Sequence, residues 1–298
     1  MRKPGLVVCL LISTVTAAPQ QKYQQPPKAI LDVLRAPVTP QLQLSPTRDY
    51  ALLVEPRRYP PIAELAQPTA KVRKLAGFTL NAIWDPLQWM PGSRGLLVKL
   101  IPAGRGKPPA RPAAPPGPNV QETAGKAGPV WTLQDLLTSP HDEDLFDYYA
   151  TSQLALLDVA SGRATPIGRP GLFQTASPAP DGKHLLVARV HRPYSYQYAA
   201  NSFPKEVEVW DRAGKVVHKL ASLPLADTVP LEGVPTGPRN YRWRPTAPAT
   251  LVWTEALDGG DPKRKVPHRD RLLMLAAPFT GQPVELTKTE HRLMGTTW

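Results

Sequence analysis

A proline-led pattern recurs four times in this chain and limits what it can fold into. "LQLSPTRDYALLVE" (42–55), "LQWMPGSRGLLVKL" (87–100), "QTASPAPDGKHLLVAR" (174–189) and "YRWRPTAPATLVWTE" (241–255) share it: Ser or an aromatic residue just ahead of a proline, a polar turn, then an apolar β-rich run. Proline fixes φ and donates nothing to a ladder, so it marks where a strand starts. In "PDGK" (180–183) Asp181 can bond its own backbone and Gly182 can take a positive φ, which makes a turn. Pro46, Pro91, Pro178 and Pro245 stand 45, 87 and 67 residues apart. That is a period near 45 stretched by insertions, the spacing of a propeller with one four-stranded sheet per ~40–45 residues. The 38 prolines in 298 residues, far above the usual ~5%, also argue against long helices.

Hairpin-like segments lie between these runs. "QLALLDVASGRATPIG" (153–168), "EVEVWDRAGKVVHKLA" (206–221) and "DRLLMLAAPFTGQPVELT" (270–287) each have a strand, a turn and a polar return strand, turning at Ser161-Gly162, Ala213-Gly214 and Thr280-Gly281. The expected fold is therefore all-β, a partial β-propeller of about four blades over residues 42–298. Its inner strands are expected near 50–54, 95–100, 184–190 and 250–254. A Pro-rich insertion (102–150) interrupts it. Thr132 with Asp135, and Ser139 with Asp142, have N-cap spacing, and Pro140 suits a first helical position, so the insertion is expected to carry two short helices.

Residues 1–18 read as a signal peptide: Arg2 and Lys3, the apolar "LVVCLLISTV" (6–15), then small residues in "VTAAP". The apolar run is far shorter than the ~20 residues that span a bilayer. The expectation is export to a periplasmic or extracellular space, without membrane attachment after cleavage, and an extended segment over 19–41. Cys9 is the only cysteine and lies in the leader. Disulfides, thiolate metal sites and a cysteine nucleophile are thereby excluded from the mature chain.

Net charge is +12, which invites a nucleic-acid reading. The basic residues are dispersed, however, and the densest run, "PKRKVPHRDR" (262–271), is broken by prolines and an aspartate. A basic soluble surface is the expectation, with no nucleic-acid partner.

Catalytic patterns are missing. There is no G-x-S-x-G; "MPGSRG" (90–95) has the wrong glycine spacing and reads as a turn. The six histidines, 141, 184, 191, 218, 268 and 291, form no H-x-x-x-H or H-E-x-x-H pattern, and no phosphate loop occurs. No catalytic residue, cofactor or metal is expected. His141, Asp142, Glu143 and Asp144 resemble a ligand cluster, but acids in a helix's first turn offset its dipole without a metal. Arg192, Tyr194 and Tyr196 of "HRPYSYQY" gather charge and aromatic surface in a loop after an inner strand. They are candidates for substrate contact, with capping of the core as the alternative. Arg239 of "TGPRNYRW" is a candidate for a bidentate pair with an acidic substrate side chain, with bonding to loop carbonyls as its alternative.

"SPAPDGKHLLVARVHRPYSYQYAANSFPKEVEVWD" (177–211) resembles the N-terminal β-propeller of the prolyl oligopeptidase family of serine peptidases, and within it the glutamyl endopeptidase-like branch. "YQQPPKAILDVLRAPVTPQLQLSP" (23–46), "HDEDLFDYYATSQLALLD" (141–158) and "VPTGPRNYRWRPTAPATLVWTEALDGGDPK" (234–263) are similar to the same branch. The resemblance implies a propeller of seven or eight blades that gates peptide substrates, followed by an α/β-hydrolase domain carrying Ser, Asp and His. None of those three residues can be placed on this chain. "GTTW" (295–298) ends 55 residues after Trp243 and reads as the opening of a further blade. The chain is thus expected to be a fragment that self-associates, its peptide substrate meeting a hydrolase domain outside it. A stand-alone periplasmic propeller that binds a partner or acts as a scaffold is the alternative.

Overall fold

A computed structural model describes residues 41–44, 46, 47, 51–54, 77–112 and 133–298. The expected leader with Cys9, the segment 19–40 and Thr132 lie outside these residues. The chain divides into two compact units, residues 1–41 with 53–67, and residues 42–52 with 68–298. Everything described between residues 77 and 298 belongs to the second unit.

Strands β1 (Gln41–Leu44) and β2 (Ala51–Val54) form a two-stranded sheet. Seven more strands pair consecutively and antiparallel: β3 (Leu87–Trp89), β4 (Gly95–Leu100), β5 (Ser152–Asp158), β6 (Ala164–Pro178), β7 (His184–Val190), β8 (Lys205–Asp211) and β9 (Val216–Leu223). A four-stranded antiparallel sheet follows: β10 (Arg239–Trp243), β11 (Thr250–Ala256), β12 (Asp270–Ala276) and β13 (Val284–Thr289). All four expected inner strands are strands, as β2, β4, β7 and β11. The three expected hairpin turns fall between β5 and β6, β8 and β9, and β12 and β13. The "PDGK" turn forms as read, with Asp181 Oδ1 accepting from Lys183 N–H (2.8 Å) and Gly182 at φ 66°.

Two expectations need correction. The return strand of the 153–168 hairpin and the "QTASP" approach to β7 are one strand, β6, of 15 residues. Its first part pairs with β5 and its second with β7, with a register shift opposite Ser152 to Leu154. The "GRPG" stretch (168–171) therefore bulges the strand instead of ending it, as Gly and Pro inside a strand can do. The seven-stranded sheet is in effect two four-stranded meanders sharing β6. The second correction concerns helices. The described residues hold one α-helix, α1 (Pro140–Ala150). Residues 133–139 are not helical, and Asp135 sits at φ 56°, a left-handed conformation that cannot propagate a right-handed helix. Ser139 and Pro140 do start α1 as expected: Ser139 Oγ accepts from Asp142 N–H (3.2 Å).

The continuous apolar run of β7 is explained by burial on both faces, where an alternating strand would be wet on one. Leu185 and Val187 pack with Leu97, Leu154, Ile167, Phe173 and Trp210, joining the first meander to the second. Leu186 and Ala188, on the other face, pack with Val207, Trp243, Leu251, Trp253 and Leu273, joining the second meander to the four-stranded sheet. Phe173 is fully buried and meets Trp210 edge to face at 5.6 Å. Gly214 in the β8–β9 turn rests against the backbone of Gly168, so close that a Cβ there would collide. The outermost strands β9 and β13 are largely exposed.

Charged groups also enter this interior, Lys99 and Glu208 among them. Lys99 of β4, only 4% exposed, lies opposite Leu154 and donates from Nζ to the carbonyl of Gln174 (3.1 Å). Gln174 sits at a register shift in the β6–β7 pairing, and the lysine supplies its carbonyl with a donor. Desolvation lowers the Lys99 pKa to about 8, with Asp85 acting weakly the other way. Because the folded value lies below the unfolded 10.5, the unfolded chain binds more protons between those values, and stability rises with pH there. At about 1.4 kcal/mol per unit the ceiling is ~3 kcal/mol. Denaturant titrations between pH 7.5 and 10.5 should show this rise, and Lys99→Met should flatten it.

Candidate functional site

The end of the seven-stranded sheet where β4, β7 and α1 finish gathers charged groups into one place. Helix α1 is held there from both ends. Asp142 Oδ2 accepts from Thr138 N–H and Oγ1 (2.8 and 2.6 Å), which satisfies donors before the first turn and holds the Asp142 carboxyl below its usual range. At the other end, the buried Asn81 donates from Nδ2 to the carbonyls of Tyr149 and Thr151 (2.8 and 2.9 Å), capping groups a helix end leaves open. Phe146 faces inward and meets Trp84, Tyr194 and Phe203 edge to face at 6.1, 5.0 and 5.6 Å. Tyr194 stacks on Phe203 at 4.9 Å.

The loop after β7 is then tied to α1 by charge. Glu143, Asp144 and Asp147 lie on one helix face, and all three converge on Arg192. Nη1 donates to Glu143 (2.6 Å), Nη2 to Asp144 (2.7 Å) and Nε to Asp147 (2.9 Å). Tyr194 donates its hydroxyl to the second oxygen of Asp147. Burial pulls the Arg192 pKa down, but Asp147 and Asp144 outweigh it and hold the guanidinium above its ordinary value. Burial and Asp147 together push Tyr194 up. Tyr196 moves up less, through burial and a hydrogen bond to Glu143. Three of the four candidate residues are thus brought together, with Glu143 and Asp144 of the "HDED" run and Asp147 beyond it as partners.

Arg239 is elsewhere. It pairs with Asp270 of β12, a fully buried carboxylate. Arg292 bridges Asp270 (2.8 Å) and Asp258 (2.6 Å), Arg269 adds a bond to Asp258 (3.0 Å), and Leu293 N–H donates to Asp270 (2.7 Å). Burial raises Asp270, but Arg239, the Leu293 N–H and Arg292 outweigh it and hold it below the carboxylate range. Asp258 is lowered against burial by Arg292, the Gly260 N–H and Arg269. This network fastens residues 292–296 over the β10–β12 face, where a groove of about 260 Å3 remains beside Arg242 and Met294. Arg244 covers the ring of Trp298 at 4.4 Å.

A wider cleft, about 420 Å3, opens beside the Arg192 clamp. Asp147, Thr151, Gly171, Arg189, His191 and Tyr194 line it. Arg189 and His191 are functional candidates the sequence reading passed over. The signal was present: Leu185, Val187 and Arg189 share a face of β7, so a charge stands at a core-facing position. Serine hydroxyls donate to carboxylates at Ser161–Asp158 (2.6 Å) and Ser222–Glu206 (2.7 Å), and no described histidine ring bonds a hydroxyl. His184 bonds Asp181 (2.8 Å) within its turn and His191 bonds the Arg192 carbonyl (2.6 Å), and neither bonds a hydroxyl. No group of three or more metal-ligating side chains forms among the described residues, and no described helix is long and apolar enough to cross a membrane.

No family model matches the chain. It is similar to the probable glutamyl endopeptidase, chloroplastic, of Oryza sativa subsp. japonica, 33% identical over an alignment of 371 positions covering 93% of this chain and 39% of the relative. It is also similar to the protein of the same name from Arabidopsis thaliana, 32% identical over 370 positions, covering 93% and 38%. The chain thus spans less than two-fifths of the curated relatives it matches. The similarity is thus to proteins named glutamyl endopeptidase, over 93% of this chain. Among solved structures, an acylaminoacyl peptidase in complex with Z-Gly-Gly-Phe-chloromethyl ketone aligns at TM-score 0.37 and 8% identity, over 69% of this chain and 25% of that one. The Pyrococcus horikoshii acylaminoacyl peptidase aligns at TM-score 0.31 and 12% identity, over 46% and 22%.

Two measurements check the site. Arg192 is 42% exposed, so its charge-assisted bonds are discounted for solvent screening. Arg192→Gln should cost about 1 kcal/mol in denaturant titration at low salt, and less at high salt. Asp258 and Asp270 have folded pKa values below their unfolded ones. Their contribution is present above the unfolded value and lost as pH falls through the folded one. Thermal stability should fall as pH drops below about 4, the ordinary Asp range, and Arg292→Met should reduce that acid dependence.

Proposed function

We propose that this chain, a relative of proteins named glutamyl endopeptidase over 93% of its length, is the non-catalytic, substrate-selecting propeller portion of an exported serine peptidase of the prolyl oligopeptidase kind. The observation that carries the reading is a conjunction. The similarity is to peptidases, and it reaches less than two-fifths of their length. Four-stranded meanders packed face to face, with two-sided burial of β7, support assigning them as blades. Hydrolysis is assigned to a Ser, Asp and His on an α/β-hydrolase domain beyond this segment. The propeller would exclude folded proteins and admit short peptides, and the α1 end of the sheet is the face assigned to meet them. Export rests on the leader-like residues 1–18, although the named relatives are chloroplastic proteins.

The test is a pair of assays. This chain, rigorously purified, should hydrolyse neither peptides nor esters, because positioned nucleophiles and oxyanion donors supply most of a hydrolase's acceleration. A longer chain that includes the proposed hydrolase domain should cleave short peptides and be inactivated by a serine-directed reagent. Turnover by the present chain that a serine-directed reagent abolishes would overturn the assignment.

A further inference from the structure

Where β7 starts, at its end away from α1, an aromatic wedge joins the second meander to the four-stranded sheet. Phe279, in the turn between β12 and β13, is 4% exposed and sits in the core cluster the two sheets share. Its ring meets His184 of β7 edge to face at 5.4 Å, His218 of β9 at 5.8 Å and Trp243 of β10 at 6.2 Å. Phe279 holds φ 64°, a left-handed backbone that a bulky residue keeps only where its surroundings fix it. Two hydrogen bonds cross the same joint. Trp243 donates from Nε1 to the Ser177 carbonyl of β6 (3.0 Å), and Asp181 N–H donates to the Pro248 carbonyl (2.7 Å).

The two imidazoles stand in different electrostatic settings. His184 bonds Asp181 through Nδ1 (2.8 Å), so a proton on His184 completes an ion pair. Asp211, opposite His184 on β8, bonds its own hairpin instead, accepting from the Ala213 and Lys215 N–H groups (2.9 Å each). His218 has no such partner. Val209 lies opposite it on β8, Phe279 meets its ring from the four-stranded sheet, and Lys219 beside it is taken up by Glu206 (2.7 Å). Lys183, Arg212 and Lys215 around this end are exposed, and Arg244 of the next turn covers the Trp298 ring. Among the described residues no carboxylate pairs with His218. Burial is the one cause at work on it and lowers its pKa. The unfolded ring therefore binds more protons below its ordinary ~6.5. The contribution of the neutral ring is full above that pH and is lost as pH falls through the folded value.

We propose that this joint is an acid-responsive coupling: Phe279 locks the two sheets together while His218 is neutral, and the β12–β13 turn releases when His218 takes a proton. A charged imidazole without a partner must reach water. His218 lies on β9, the largely exposed last strand of its sheet, so the ring can swing outward and leave Phe279 uncovered on that side. Because the wedge also touches His184 and Trp243, its release loosens three contacts at once. Such a coupling stands apart from any peptidase role.

The experiment is an NMR titration of the 15N-labelled full chain from about pH 8 to about pH 5, the range in which histidines change charge. Two reporters sit in the joint: the Trp243 indole N–H, and the Phe279 amide, which donates to the Ala276 carbonyl (2.9 Å). Protection of both from solvent exchange, corrected for the intrinsic rate, should fall about threefold or more, with the midpoint of the His218 ring's own titration. His218→Phe keeps an aromatic contact, removes the proton site, and should hold both protections constant. His184→Asn should leave the pH dependence in place. Constant protection in the unsubstituted chain would overturn the coupling, as would a gain in acid, the result if a cation on the Phe279 ring were attractive. A loss that persists in His218→Phe would overturn it too. If a variant fails to fold, the match or mismatch of midpoints in the unsubstituted chain decides.

Discussion

The rest of the structure depends on β7 being buried on both faces. Leu185 and Val187 belong to one core cluster, and Leu186 and Ala188 to the next, so a single strand couples the first meander to the four-stranded sheet through the second. A sheet wet on one face needs only one packing partner, whereas a strand apolar on both sides requires a sheet above and a sheet below. The stacking follows from that requirement, and so does the placement of polar residues. They are pushed to the strand ends, where Arg189 and His191 follow directly on the apolar run. The cleft is therefore a by-product of where the buried part of β7 stops.

Charge organises that end, with geometry deciding which groups are structural. Arg192 has three carboxylates and Arg239 has a fully buried one. Such groups hold elements together: α1 to the loop after β7, and β10 to β12. Arg189 of β7 meets the buried Glu208 of β8 at 3.7 Å. The basic excess of the sequence is distributed in the same local way. Where carboxylates cluster they meet arginines, so net charge says little about any one surface.

The strands were legible in the sequence because each is announced by local chemistry. Proline precedes it, an Asp-Gly or similar turn aims it, and an apolar run follows. The Ser139 cap and Pro140 were legible for the same reason. What the sequence did not disclose was non-local. The continuity of β6 through Gly168 to Gly171 depends on β5 and β7 pairing with its two halves, so turn residues that locally signal an end mark a bulge instead. The non-helical stretch before α1 turns on Asp135 adopting a left-handed conformation, which an N-cap spacing cannot reveal. Arg192 and Tyr194 stood out by composition, but their partners lie 45 to 49 residues upstream on α1, and only the fold joins them. Arg189 was passed over because a charge ending an apolar run looks like a strand terminus until the parity of Leu185 and Val187 is followed onto it.

Native-state hydrogen exchange tests the central claim, two-sided burial of β7, most directly. The backbone amides of β7, shielded by a sheet on each face, should exchange only through global opening, at the slowest rates in the chain. Those of β9 and β13, at exposed edges, should exchange far faster. If β7 amides exchanged at the rate of β9 amides under native conditions, the stacked arrangement on which the cleft and its proposed role depend would be contradicted.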